Sequence, residues 1–172
     1  MFRISPALVR AHLAQSFTTA GSTMVGQNLG AREYRRVNTI LATVLSTGLL
    51  LAALATAAML LWPDAIYGIF NSDTAYMAAV GVLTLPIVLN LYGSATRSMA
   101  FSLINGSGRA KLNLAVAIID GVISRVGLAA LLGFALEMGC KGFWLGDALA
   151  GFMPLVIGGT FYLSGRWKTH NE

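Results

Sequence analysis

Charge is scarce in this chain: Asp, Glu, Lys and Arg make up only 11% of its 172 residues. A soluble domain carries about a quarter. So little charge cannot coat a water-facing surface, which excludes an ordinary soluble protein. Cysteine is nearly absent too. Cys140 is alone, so neither an internal disulfide nor a cysteine-based metal cluster is possible. There are two histidines, His12 and His170, in different segments, and no H-E-x-x-H or G-x-S-x-G. The sequence therefore offers no catalytic or metal-ligating residues and implies no bound cofactor. After Arg3 and Arg10 comes a stretch of Gln, Ser and Thr, not the compact apolar core of a cleavable signal peptide. The net charge of +5 is spread between apolar runs rather than gathered on one patch, so nucleic acid is not an expected partner.

What the chain has is apolar length. Hydrophobic residues make up 56%, and the mean hydropathy is +0.69. The few charges divide it into helices at about residues 5–29, 37–62, 75–105, 111–136 and 142–165. The last four each reach the ~20 residues needed to cross ~30 Å of hydrocarbon at 1.5 Å per residue. The first is uncharged from Ala11 to Ala31 but rich in Gln, Ser and Thr, which suits a helix buried among others. The expectation is an all-α integral membrane protein, a single domain over 1–172 with a bundle of about five transmembrane helices. Membrane lipid is its solvent, because only helices or closed barrels satisfy the backbone there.

Seven of the twelve basic residues fall on one side: Arg32, Arg35 and Arg36; Arg109 and Lys111; Arg166 and Lys168. The opposite loops hold Asp64, Asp73, Glu137 and Lys141. The positive-inside rule makes the basic side, with the C-terminus, cytoplasmic, in a multi-pass protein of the plasma (inner) membrane. Trp62 and Tyr67 on one side and Trp167 on the other fit interfacial belts. Five spans would put Met1 outside, yet a weakly apolar, Arg-flanked leading helix has little reason to translocate that end. Helices upstream are expected, with Met1 an internal methionine of a longer protein or the start of a truncated gene.

Polar residues inside apolar segments are functional candidates, since a mid-bilayer charge costs about 2.5–3.5 kcal/mol on insertion scales. Asp120 is the deepest carboxylate. At 100° per residue Asn113, Ala117, Asp120, Ser124 and Gly127 share one face, small and polar as in a cavity wall. Arg125 stands about 140° round from Asp120, so each is expected to find a partner on a neighbouring helix. Arg97 lies above the turn at Asn105 and lines the inner mouth or snorkels towards it. Asn90 follows Pro86, whose ring interrupts the helix ladder mid-span. Asp147, near the outer interface, suits a helix N-terminal role. Gly142 and Gly146 form a G-x-x-x-G for close helix packing. The Gly106–Lys111 run is glycine-rich and basic but does not match the phosphate-loop pattern, and reads as a tight cytoplasmic turn.

The run Thr23-Met24-Val25-Gly26-Gln27-Asn28-Leu29-Gly30-Ala31-Arg32 resembles the "vGQNLGA" signature of the MATE (multidrug and toxic compound extrusion) family, with Gly26, Gln27, Asn28 and Gly30 as motif positions. Asn105-Gly106-Ser107-Gly108-Arg109 is similar to the family's "G-x-G" turn, and Gly142-Phe143-Trp144-Leu145-Gly146 to the "G-x-W" start of its last helix. The resemblance covers essentially the whole chain and makes it a C-terminal lobe fragment, the eighth to twelfth of twelve helices. It implies export of small organic cations or drugs in exchange for sodium ions or protons, together with a missing N-terminal lobe. Some members carry a coupling carboxylate on the helix matching 75–105, and this segment has none. Asp120 on the next helix is the alternative. A related lipid or polysaccharide flippase, with Arg97 and Arg125 as cationic lining, is the second reading. A non-transporting remnant that packs with other subunits is the third. A membrane enzyme would need paired carboxylates or a metal cluster, which the sequence does not show.

Overall fold

The computed structural model describes residues 6–68 and 74–168. Met1, Arg3, Asp73 and His170 lie outside the described residues. The helices are α1 (Pro6–Gly30), α2 (Tyr34–Leu61), the short α3 (Pro63–Gly68) and α4 (Thr74–Gly106), then α5 (Ala110–Ala135), α6 (Gly139–Ala150) and α7 (Met153–Leu163). A 3-10 turn, Arg166–Lys168, follows. No strand occurs among the described residues. By length and composition three stretches can cross a membrane: Tyr34–Leu61, Ala110–Ala135 and Gly139–Leu163. Their outward faces carry Leu54, Val126, Phe134 and Leu163, between 58% and 83% exposed, which in water would be untenable and in lipid is ordinary. The chain is an all-α integral membrane protein.

Helix α4 is the centre post, packed against α1, α2, α6 and α7. Small residues set each seam. A Cβ at Gly21 would strike Ser102 and one at Gly26 would approach the Gly106 carbonyl, so α1 and α4 run parallel. Gly48 lies against Ala95 while Val44 sits beside Gly21, next to Ser102, so α2 runs antiparallel to α4. Gly93 meets Gly151, and Gly158 meets Ala100, which lays the last span parallel to α4. Gly142 backs onto Leu132 and Gly133, and Gly146 onto Leu128 and Ala129, so α6 runs antiparallel to α5. The expected G-x-x-x-G contact is this seam: without side chains, backbones approach closely enough for dispersion to hold helices in lipid. Ser and Thr hydroxyls donate to carbonyls four residues back, as at Ser94, Ser98 and Ser102, and so stay satisfied away from water.

The apolar core lies at one end of the bundle, where Val25, Val37, Ile40, Leu103, Ile104 and Val116 meet beneath Phe161 and Trp167. All the basic loops converge at that end. One expectation is corrected. Helix α4 runs on through the buried Pro86, which has no N–H for the Val82 carbonyl and so costs one ladder bond without ending the helix. The break falls instead in the last span, where Gly151 and Phe152 turn between α6 and α7. Pro154, in the first turn of α7, has no N–H to continue the ladder from α6.

A Cβ at Gly146 would sit 2.5 Å from the Ala129 nitrogen, whereas one at Gly159 meets nothing within 4 Å. Gly146→Ala is therefore expected to lower unfolding stability in detergent by about 1–3 kcal/mol. Gly159→Ala should be neutral or slightly stabilising. Equal thermal midpoints for both variants would remove the α5–α6 seam from this account.

Candidate functional site: a charge ladder across three helices

On α4, Asn90 and Arg97 are seven residues apart, two turns, and so share a face about 10 Å apart along the axis. On α5 the backbone changes pitch. Ile119–Ser124 is a π-helical stretch, and the Arg125 N–H bonds the Asp120 carbonyl five residues back. That wider turn brings Asp120 and Arg125 closer in azimuth than the 140° of a regular helix allows. It also breaks the single stripe expected from uniform 100° spacing. Asp120 and Ser124 are buried and Asn113 half-buried, but Ala117 and Gly127 are exposed. The stripe is corrected to a short buried patch around the π turn.

Opposite that patch the charges pair across helices. The Arg97 guanidinium (Nη2) is ion-paired with Asp120 Oδ2, and Arg125 Nη1 with Asp147 Oδ1 on α6. Asn90 Nδ2 donates to the other Asp147 oxygen at 2.8 Å. Asp120 is wholly buried, while Arg97 is one-third exposed and lies over the Phe101 ring, 5.4 Å from its centroid. Two arginines and two aspartates cancel, so the ladder is electrically neutral as a unit. Its two rungs lie at different depths: Asn90–Asp147–Arg125 towards the α4 N-terminus, Arg97–Asp120 nearer the basic end. Each charge has its counter-charge on another helix, which makes the ladder a tie between α4, α5 and α6.

Sequence reasoning named Asn90, Arg97, Asp120 and Arg125, and the structure brings these four together. Asn113 and Ser124 lie on the same helix; the Asn113 Oδ1 is buried with no hydrogen-bond partner among the described residues. Asp147 was assigned to a helix N-terminus and is corrected: it sits eight residues into α6 and accepts from two other helices. The signal was present, because residues 90, 125 and 147 reach a common depth when their helices alternate in direction. Cross-helix depth matching, rather than position within one helix, would have found it. No group of three or more His, Cys, Asp or Glu suited to a metal occurs among the described residues.

The motif residues lie elsewhere, at the basic end. Asn28 Nδ2 caps back onto the Met24 carbonyl at 2.8 Å, and the Asn28 carbonyl accepts the Glu33 N–H at 2.9 Å. Gln27 is exposed. Gly26 and Gly30 border a cavity of about 400 Å³ between the end of α1, the Gly106–Gly108 turn and Trp167.

A helical membrane bundle tied by an internal neutral charge ladder is the architecture of a polytopic membrane protein, and comparison with known proteins is specific about its family. The MatE family profile matches residues 7–131. This chain belongs to the MatE family. It is 28% identical over 169 residues to a probable multidrug resistance protein NorM of Chromobacterium violaceum, covering 93% of this chain and 36% of that protein. It is 26% identical over 153 residues to the multidrug and toxin extrusion protein 1 of Xenopus tropicalis, covering 89% and 27%. The crystal structure of the eukaryotic MATE transporter AtDTX14 superposes with a TM-score of 0.74 at 21% identity, over 90% of this chain and 35% of that one. The chain thus spans about a third of the length of these relatives.

Removing one ladder partner leaves the other charge unpaired in a low-dielectric setting. Asp120→Asn or Arg97→Gln alone is expected to cost about 3 kcal/mol of stability. The Arg125–Asp147 rung, about one-third exposed, should cost less. The Arg97→Gln/Asp120→Asn double variant should recover most of the single loss. Strictly additive losses in a double-mutant cycle, read by denaturant unfolding in micelles, would show that the pair is not coupled.

Proposed function

We propose that this chain forms part of a secondary antiporter that exports drugs or organic cations in exchange for sodium ions or protons. One observation carries the reading. Along α1, Gln15, Thr19, Thr23 and Gln27 are exposed while Gly21 and Val25 are buried, so this helix turns its polar side outward. The other spans expose mainly Leu, Val, Ile and Phe, with Asn38, Thr39, Thr43 and Ser46 in the first half of α2 as polar exceptions. In a membrane, exposed amides need water or a polar partner, because hydrocarbon leaves them unsatisfied at several kcal/mol each. In this reading the polar outward face is one wall of a hydrated path. The names of the two curated relatives, a multidrug resistance and an extrusion protein, agree with this reading.

In this proposal the basic end and the C-terminus face the cytoplasm of the plasma membrane. Asp120 is the ion-responsive carboxylate: a proton or sodium ion there weakens its hold on Arg97 and loosens α4 from α5. The flippase alternative would use Arg97 and Arg125 as a cationic lining, but each faces a carboxylate, which favours the antiporter. No catalytic role is proposed for any residue.

Accessibility tests the carrying observation. In a Cys140→Ser background, Thr23→Cys should react with a membrane-impermeant thiol reagent, and reaction should slow ethidium efflux. Leu54→Cys, on an apolar face, should remain unlabelled. Equal labelling of both would sink the hydrated path. Asp120→Asn in the intact parent protein should reduce ion-coupled efflux with normal membrane insertion, and unchanged efflux would take Asp120 out of the mechanism. Blotting native membranes with an antibody against the C-terminal tail addresses the third reading. A band more than twice 18.1 kDa fits a two-lobed transporter, and a band at 18.1 kDa fits a non-transporting remnant.

A further inference from the structure

The cavity at the basic end plays no part in the ladder or in the polar face of α1. It is bordered by Gly30 and Arg32 after α1, by Ser107 and Gly108 in the α4–α5 turn, and by Trp167 and Lys168. Three features bear on what it holds. Its described lining carries two cations, Arg32 and Lys168, and no carboxylate. Neither of these cations forms a salt bridge among the described residues. The rest of the lining includes Leu29 and Tyr34 beside Trp167, and the Lys168 Nζ lies over the Trp167 ring, 5.2 Å from its centroid.

The Tyr34–Trp167 wall is rigid. Tyr34 meets Trp167 edge-on at 5.9 Å, Tyr162 stacks on Trp167 at 5.6 Å, and the Trp167 Nε1–H donates to the Tyr162 carbonyl at 2.9 Å. The segment after α7 is pinned across the mouth from both sides. The Tyr34 hydroxyl donates to the Lys168 carbonyl at 3.0 Å, and Arg109 Nη2 donates to the Arg166 carbonyl at 2.7 Å. At Gly30 and Gly108 a Cβ would meet nothing, so the glycines leave the space open rather than fill it. The cavity lies where α1, α4 and α7 end, which is the level of the lipid headgroups.

We propose that this cavity binds a phosphate-bearing anion, the headgroup of an anionic phospholipid, with Arg32 and Lys168 on the phosphate and the Tyr34–Trp167 wall against the glycerol and upper acyl carbons. A volume of about 400 Å³ exceeds what a bare phosphate fills and accommodates a headgroup. Basic pockets between membrane helices recognise anionic headgroups in this way, each basic residue adding to the attraction. A free cytosolic phosphate shares the charge chemistry but has no use for the aromatic wall.

The test uses the purified protein in a zwitterionic detergent. Trp62→Phe/Trp144→Phe makes Trp167 the sole tryptophan, excited selectively over the tyrosines, and dihexanoyl phosphatidylglycerol, dihexanoyl phosphatidylcholine and inorganic phosphate are titrated separately. Saturable change with phosphatidylglycerol alone is the expected result. Arg32→Gln/Lys168→Gln should weaken it about tenfold or more. Arg35→Gln/Arg36→Gln, which removes two cations from the first turn of α2 outside the cavity lining, should shift it by less than about twofold. Saturation by inorganic phosphate at the same concentration would assign the site to a free anion and overturn the lipid. So would equal weakening by the two double variants, which would reduce the effect to general surface charge. No saturable response of Trp167 in the unsubstituted cavity overturns the proposal outright, whether or not the double variants insert.

Discussion

Every charge inside this bundle has to be cancelled where it stands. Lipid supplies neither water nor counter-ions, so a lone carboxylate or guanidinium at depth would oppose insertion of its helix. The Arg97–Asp120 and Arg125–Asp147 pairs meet that constraint between helices rather than within one. Much else follows. Helices α4, α5 and α6 need a common register, so the glycine seams must bring backbones to a close approach at set positions. The π turn in α5 must present Asp120 and Arg125 to two different neighbours. The polar atoms around the ladder dictate the packing as much as the packing houses them.

Neutrality as a unit also separates insertion from stability. A neutral set is tolerated in the membrane only when assembled, so the ladder rewards the correct docking of three helices and no partial arrangement. Buried polar networks that specify register elsewhere act by the same logic, since a mispaired charge costs more than a mispaired apolar side chain. The apolar core under Trp167 has no such selectivity. It holds the basic end together by dispersion and would accept several related packings.

The fold class was legible because it rests on composition. Long uncharged runs leave no alternative to membrane helices, and the charged loops mark their ends. Within the candidate site, Arg97, Asp120, Arg125 and Asn90 stood out as polar residues in apolar surroundings. What could not be read was pairing. The π turn has no marker in the sequence Ile119-Asp120-Gly121-Val122-Ile123-Ser124, and a uniform helical wheel therefore misplaces Gly127, which lies beyond it. Pro86 and Pro154 show the same limit from the other side. Both are prolines inside apolar runs and each deprives a carbonyl of its donor, yet the chain continues past one and turns at the other, which tertiary packing decides. Asp147 was undervalued because its meaning lies on other helices.

The turn at Gly151–Phe152 changes what the last span is fastened to. Before it, Gly142 and Gly146 fasten α6 to α5; after it, Gly158 fastens α7 to α4. Because α6 also meets α4, through Asn90–Asp147 and Gly93 against Gly151, the span bends without leaving α4, and the half before the bend serves as the common wall of α4 and α5.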